Sequence, residues 1–327
     1  MKNNNIIDLD KIYDPIKTSL SLVNNKLFNL AVKQHPILSK PLEHVSKSSG
    51  KRMRAAITLL SGQMYTSIND EIISMGTAIE LFHLASLIHD DAIDKSALRR
   101  GKETISNLYG TDMAILIGDL VFANSASTVC DTGNILAIQR FSETTMEVST
   151  GQILESSQKF NTKQNIEGYL ERIYKKTASV FETSAETGGI ISGATKEKIA
   201  LLKSYGYNLG MAFQIIDDIL DFEGDPNEFG KPVGQDLDQG LLTLPSLLYL
   251  EKFPNETNIS TLFSEGNSQK YKPKIVESIL NSEIIEECYI KAQNYCNTSK
   301  EMLEKLPNSE EKTSLSLLLD YVIERRQ

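Results

Sequence analysis

From Asn69 to Ile93 apolar side chains cover nearly every side of a helical wheel: Ile72, Ile73, Ala78, Ile79, Phe82, Ala85, Leu87 and Ile88 recur with few charges before the C-terminal end. A stripe that wide predicts a helix buried in the middle of a fold. Similar periodicity predicts helices over Asp112–Val129, Leu136–Leu154, Ile166–Gly188 and Lys196–Phe222, with Gly110, Gly151 and Gly193 as breaks. No proline falls between Leu42 and Asp225, so the strongest helix breaker is missing from more than half of the chain. Alternating Val, Ile and Thr runs bounded by turns, which would mark strands, are absent. Glu223–Gly240, EGDPNEFGKPVGQDLDQG, is rich in Gly, Pro and Asp and reads as a polar surface loop, because helical pattern resumes at Leu241 with no shift in composition. There is no internal repeat and no low-complexity tract. The pattern predicts a single all-α domain spanning residues 1–327.

Composition narrows the function classes. The chain has 327 residues, 40% hydrophobic and 24% charged, with a net charge of -9. An acidic chain with no sustained basic face does not suit a phosphate backbone, so nucleic acid is not an expected partner. No apolar run of about 18 residues stands out, and the start MKNNNIIDLDKIYD lacks a signal-peptide pattern, so a soluble, cytoplasmic protein without a transmembrane segment is expected. Cys130, Cys288 and Cys296 form no CxxC pair and read as reduced packing residues. An anionic substrate would have to be held by local cations or by metal.

Both are available. In HDDAID, Asp90 and Asp94 stand one helical turn apart on one face, with Asp91 beside them. Like charges so placed repel, and carboxylates at a helix C-terminus also oppose the macrodipole, so a bound cation is a natural compensation. Taken alone the motif is more often an acidic helix end in solvent. However, QIIDDILD repeats the spacing with Asp217, Asp218 and Asp221 on a second, largely apolar helix, and two such clusters make a holder for magnesium ions bridged by a diphosphate. SSGKRMR supplies Lys51, Arg52 and Arg54, and SALRRGKE supplies Arg99 and Arg100. Guanidinium forks and lysine point charges suit diphosphate oxygens. There is no GxxxxGK[ST], no GxGxxG and no HExxH. His83 lies about two turns before Asp90 and is either a second anion contact or a satisfied core histidine.

These motifs together resemble the trans-isoprenyl diphosphate synthases, also called polyprenyl synthetases. The likeness runs through GKRMR, ELFHLASLIHDDAID, LRRGKET, GDLVFA, YKKTASVF, LGMAFQIIDDILDF, GKPVGQDLDQG and LDYVIERR. It implies the isoprenoid synthase fold, a helical bundle around a deep central cavity, in a homodimer with transient membrane contact for product release. It implies magnesium, three ions per active site with substrate bound, held by Asp90, Asp94 and Asp217, with Asp91, Asp218 and Asp221 assisting. Lys51, Arg54, His83 and Arg100 match an isopentenyl diphosphate site; Arg99, Lys176, Thr177, Gln214 and Lys231 match an allylic diphosphate site. The implied reaction is ionisation, condensation and elimination, in which Lys176 and metal charge stabilise the departing pyrophosphate.

Two positions depart from the family pattern. Ala55 stands where a proline is usual after GKRxR, and Leu241 follows Gly240 where many short-chain members carry a lysine. Ala85 and Ser86, about one turn before Asp90, are small where a short-chain enzyme often has an aromatic ring, while Phe82 and Phe122 could close a tunnel further down. A long-chain product, hexaprenyl or longer, is expected. The alternatives are a farnesyl or geranylgeranyl synthase and a non-catalytic partner subunit of a heteromeric synthase. A class I terpene cyclase needs no isopentenyl site, and here GKRMR, His83 and Arg100 match one.

Overall fold

The structure, a computed structural model, describes residues 8–32, 36–47, 50–224 and 233–325. Its elements in chain order are α1 (Leu9–Ile12), α2 (Lys17–Val32), α3 (Pro36–Lys47), α4 (Met53–Gln63), α5 (Asp70–Ile93), the short strands β1 (Leu98–Arg99) and β2 (Lys102–Glu103), α6 (Ile105–Tyr109), α7 (Thr111–Cys130) and α8 (Ile135–Gln158). There follow α9 (Ile166–Ile173), a π-helical turn (Tyr174–Ala178), α10 (Ser179–Ile191), α11 (Lys196–Glu223), α12 (Gln235–Asp238), α13 (Leu244–Lys252), α14 (Asn258–Glu265), α15 (Ser268–Leu280), α16 (Ile284–Glu304) and α17 (Glu310–Glu324). The chain is an all-α bundle. Side-chain caps start several of its helices: Asn69 accepts from Ile72 N–H, Asn134 from Leu136 and Ala137, and Asn165 from Gly168.

The 24 residues of α5 span about 36 Å and are buried on almost all sides, as their apolar wheel requires. α10 packs against α4, α5 and α11, so it braces both helices that end in aspartate clusters. Phe181, Tyr205, Phe222, Ile57 and Leu60 are fully buried in the shared core. Between α8 and α10, the buried Arg140 lies among Glu147 at 3.2 Å, Glu186 at 2.9 Å and Glu182 at 3.6 Å.

Four expectations need correction. Gly151 does not break a helix: it lies inside α8, where an added Cβ would fall 2.7 Å from the Lys176 nitrogen, so its smallness seats α8 against the π-helical turn. Ile166–Gly188 is not one regular helix, because that π turn interrupts it. Strands are not wholly absent, since β1 and β2 pair as a minimal antiparallel hairpin. And α5 and α7 are both long and apolar enough to cross a membrane by length and composition. α5 uses that character to fill the core. α7 is only 33% buried over its apolar window and exposes Met113, Ile115 and Leu116.

α10 and α11 meet along glycine. A Cβ on Gly206 would lie 2.5 Å from the Phe181 carbonyl oxygen and 2.8 Å from the Glu182 Cα, both backbone atoms that cannot swing aside. Gly206→Ala is therefore expected to lower stability by about 1–3 kcal/mol, the usual cost of overpacking. Thermal or urea unfolding followed by circular dichroism measures it, and an unchanged midpoint would show that the two helices are free to separate.

Candidate active site

The first aspartate cluster closes α5, with Asp90 and Asp91 in the last turn and Asp94 as the C-cap. Its carboxylates each face a different cation. Asp90 lies 3.9 Å from Lys176, which is itself held by Glu155 of α8 at 2.6 Å. Asp91 turns to the hairpin, where Arg99 Nε donates to both of its oxygens at 2.9 and 2.8 Å. Asp94 is paired with Lys159 at 2.9 Å.

The second cluster lies in the last turns of α11. Asp217 accepts from Arg325 Nη2 at 2.7 Å, and that guanidinium also lies over the Phe213 ring. Asp218 accepts from Tyr169 Oη at 2.6 Å and Gln214 Nε2 at 2.8 Å; Thr177 in turn donates to Gln214 Oε1 at 2.8 Å. Asp221 accepts the backbone N–H groups of Gln235 at 3.0 Å and Asp236 at 3.2 Å, so here it caps the start of α12. The described end of the segment read as a surface loop is thereby folded back onto α11. The two clusters share a cleft of about 220 Å³, lined by Asp94, Glu155, Lys176, Thr177, Gln214, Asp218 and Asp236 among others.

Of the remaining cations, Arg54 and Lys51 act on Asp217, and Arg100 stands with Arg54 near His83. Arg54 lies over the Phe181 ring at 4.6 Å, its Nε is buried without a hydrogen-bond partner, and burial lowers its pKa to about 10. Arg100 adopts a left-handed φ of 53° and folds its guanidinium over Gly50. Lys51 stands 5.0 Å from the centre of the Tyr321 ring. His83 is held well below its ordinary pKa by burial and by Arg54, Arg99, Arg100 and Arg52, so its imidazole is neutral at pH 7. Arg52 is committed to Glu80 and Asn24 and is structural. Lys231 lies outside the described residues.

Sequence reasoning missed Glu155, Lys159, Tyr169, Asp236 and Arg325. Asp236 and Arg325 stand within segments that carry the family resemblance, but neither sits in an aspartate or glycine–lysine–arginine pattern. Glu155 is one turn beyond Gly151 on α8, and only the packing of that glycine on Lys176 connects them.

Burial pushes the carboxyls of Asp90, Asp217 and Asp218 above the ordinary aspartate value, Asp218 to about 7. Asp236 is raised well above it by burial and by Asp221, Asp218 and Glu155. For Lys176, burial alone would lower the pKa, but Asp90 and Glu155 outweigh it and hold the ammonium charged. At the aspartates burial outweighs the opposing effect of Lys176 on Asp90 and of Arg325, Arg54 and Lys51 on Asp217. The donors of the cleft are all oxygen, which suits a hard divalent cation. Among the described residues no three acidic or histidine side chains converge on one point. Magnesium takes one or two protein carboxylates and completes its octahedron with water and phosphate oxygens.

The polyprenyl synthetase family model matches residues 35–280. The chain is 34% identical over 314 residues to heptaprenyl diphosphate synthase component 2 of Bacillus subtilis, covering 96% of this chain and 90% of that one. Heptaprenyl diphosphate synthase from Staphylococcus aureus superposes with a TM-score of 0.91 at 33% identity, over 95% of this chain and 99% of that one. A decaprenyl diphosphate synthase from Rhodobacter capsulatus superposes with a TM-score of 0.92 at 28% identity, over 98% and 100% respectively. Other relatives range from a short chain isoprenyl diphosphate synthase to solanesyl diphosphate synthases.

A raised aspartate pKa has a signed consequence for stability. Between the ordinary value of 3.8 and about 7, Asp218 is protonated when folded and ionised when unfolded, so stability falls as pH rises through that window. In metal-free protein, Asp218→Asn is expected to remove this contribution. The melting temperature of the wild type relative to the variant should then fall between pH 4 and 7, and a constant difference would show that Asp218 ionises normally in the folded chain.

Proposed function

The chain belongs to the polyprenyl synthetase family and is a prenyltransferase acting on isoprenoid diphosphates, and from that premise we propose an all-trans polyprenyl diphosphate synthase. It adds isopentenyl diphosphate head to tail onto an allylic diphosphate to a product of hexaprenyl length or longer. The observation that carries the chemistry is the cleft that Asp94 of the first cluster and Asp218 of the second line together with Lys176, whose ammonium also faces Asp90.

In this reading Lys176, Thr177, Gln214, Arg99 and Lys231 hold the allylic diphosphate. Lys51, Arg54, Arg100 and the neutral His83 hold isopentenyl diphosphate, His83 as a hydrogen-bond donor. Magnesium, in three ions once substrate is bound, would be held by Asp90, Asp94 and Asp217 and would supply Lewis-acid charge to the departing pyrophosphate. Lys176 is kept charged and aimed by Glu155, so its ammonium can donate to the bridging oxygen as the carbon–oxygen bond breaks. The isopentenyl double bond then attacks the allylic cation. The proton lost in elimination goes to released pyrophosphate, since none of the residues placed at the cleft is a free neutral base of suitable strength. Asp91, Asp218 and Asp221 act by fixing Arg99, Gln214 and α12.

Small side chains beneath Asp90 support the long product. Ala85 and Ser86, whose hydroxyl donates to the His83 carbonyl, bring little bulk of their own to the first level, where Ala85 packs in the core. One observation favours the short-chain alternative. A turn lower, Phe82 meets Phe141 edge to face at 5.6 Å and Phe122 at 6.1 Å, a ring cluster that would stop the tail at this level unless Phe122, half-buried, turns aside. We further propose a cytoplasmic homodimer of one-domain chains, supported by exposed apolar side chains on α7 and on α8, where Met146 and Ile153 project outward.

Asp90→Asn and Asp217→Asn are each expected to lower turnover about a hundred- to a thousandfold at saturating magnesium while the fold persists. Pyrophosphate release with both substrates measures this, and a near-normal rate removes that residue from the mechanism. Chromatography of wild-type products with isopentenyl diphosphate in excess tests chain length: products ending at geranylgeranyl would establish the alternative. Ala85→Phe is expected to shorten the product to about farnesyl or geranylgeranyl size, with the first condensation still fast. An unshortened product would mean that the tail does not pass that level.

A further inference from the structure

Lys159 is the first residue past α8 and lies far in sequence from either aspartate motif, yet its ammonium sits 2.9 Å from Asp94 Oδ1. It is one turn beyond Glu155, the residue that aims Lys176, so the end of α8 presents two successive side chains to the first cluster. The backbone that carries it is fixed. Phe160 is held at a left-handed φ of 63°, donates its N–H to the Gly240 carbonyl at 2.7 Å and sets its ring edge to face on Phe263 at 5.6 Å. Phe160 also packs directly on Gly240, leaving no room for a side chain there. Lys159 therefore leaves from an anchored point at the cleft rim, beside the wall formed by Gln239, Leu241 and Thr243.

That wall brings no cation of its own to the cleft. Arg172, the nearby guanidinium, is spent on Gln158 at 3.2 Å, Gln164 at 2.9 Å and the Leu242 carbonyl at 2.7 Å. Lys176 serves Glu155 and Asp90, and Arg99 serves Asp91 with both oxygens. Lys159 pairs with Asp94, a carboxylate that lines the cleft, and like Lys176 it keeps about a quarter of its side chain open to solvent. When another cation takes Asp94, the ammonium is released within reach of whatever anion that cation bridges.

We infer that Lys159 is a diphosphate-binding residue of the allylic site, exchanging Asp94 for a phosphate oxygen of the bound primer and standing in for a cation that the Leu241 wall lacks. This rests on the reading of the cleft as an allylic diphosphate site. Lysine suits the exchange because its compact ammonium makes single contacts on a flexible stem.

The test compares wild type with Lys159→Gln and Lys159→Arg, and with Lys163→Ala, which removes an exposed lysine on the same loop. Lys159→Gln should raise the KM for farnesyl diphosphate about 10- to 100-fold, the worth of one hydrogen bond to a charged group. The KM for isopentenyl diphosphate and the melting temperature should stay near wild type, Lys159→Arg should recover most of the loss, and Lys163→Ala should change nothing. Calorimetric binding of inorganic pyrophosphate with magnesium gives a readout independent of turnover, and Lys159→Gln should weaken it by a similar factor. Equal effects on both substrates, or unchanged pyrophosphate affinity, would overturn the assignment and leave Lys159 as a structural partner of Asp94. A wild type that binds pyrophosphate without turning over would instead overturn the proposed function, with the Lys159 comparison still readable.

Discussion

Carboxylates brought into a protein interior must be given positive charge, and that requirement organises this molecule. α5 and α11 are apolar enough to be core helices, and each ends in three aspartates at the pole of the helix dipole least suited to them. The chain meets the need in part with its own cations: Lys176, Arg99 and Lys159 at the first cluster and Arg325 at Asp217. The compensation is partial, as the upward shifts at Asp90, Asp217, Asp218 and Asp236 record. Carboxylates so placed are oxygen donors of the kind that suit a hard divalent cation.

The cations come from distant parts of the chain, and the packing exists to bring them in. The π turn at Tyr174–Ala178 shifts the helical register where Lys176 and Thr177 must face the cleft. It is seated on one side by Gly151 of α8 and on the other by Gly210 of α11, where added side chains would collide with its backbone. Tyr174 donates to Glu147, which belongs to the buried group around Arg140. The charged interior between α8 and α10 thus holds the same turn whose lysine faces Asp90. Arg325 arrives from the opposite direction, at the end of α17, so the last described residue of the chain closes over the second cluster.

The sequence alone determined which helices are central and which ends carry chemistry. An apolar wheel with carboxylates only at its end has few other readings, and the repeated aspartate spacing on α5 and α11 made a cation-holding pair legible before any contact was known. The long proline-free span fixed the all-helical class for the same local reason.

Only the tertiary structure decided which partner each aspartate meets. Asp91 and Asp94 share a motif but face Arg99 and Lys159, eight and sixty-five residues away, and no periodicity encodes either pairing. Gly151 looked like a helix break because a glycine's local preference is all a sequence displays; the close approach of Lys176 that makes it a packing residue is a property of two helices. Asp221 was read as assisting Asp217, and only the chain returning at Gln235 shows how, by offering it two N–H groups to cap. The direction of Phe82 was open for the same reason. Helical periodicity gives the face on which a side chain lies, whereas its neighbours, here Phe122 and Phe141, depend on how the helices are docked.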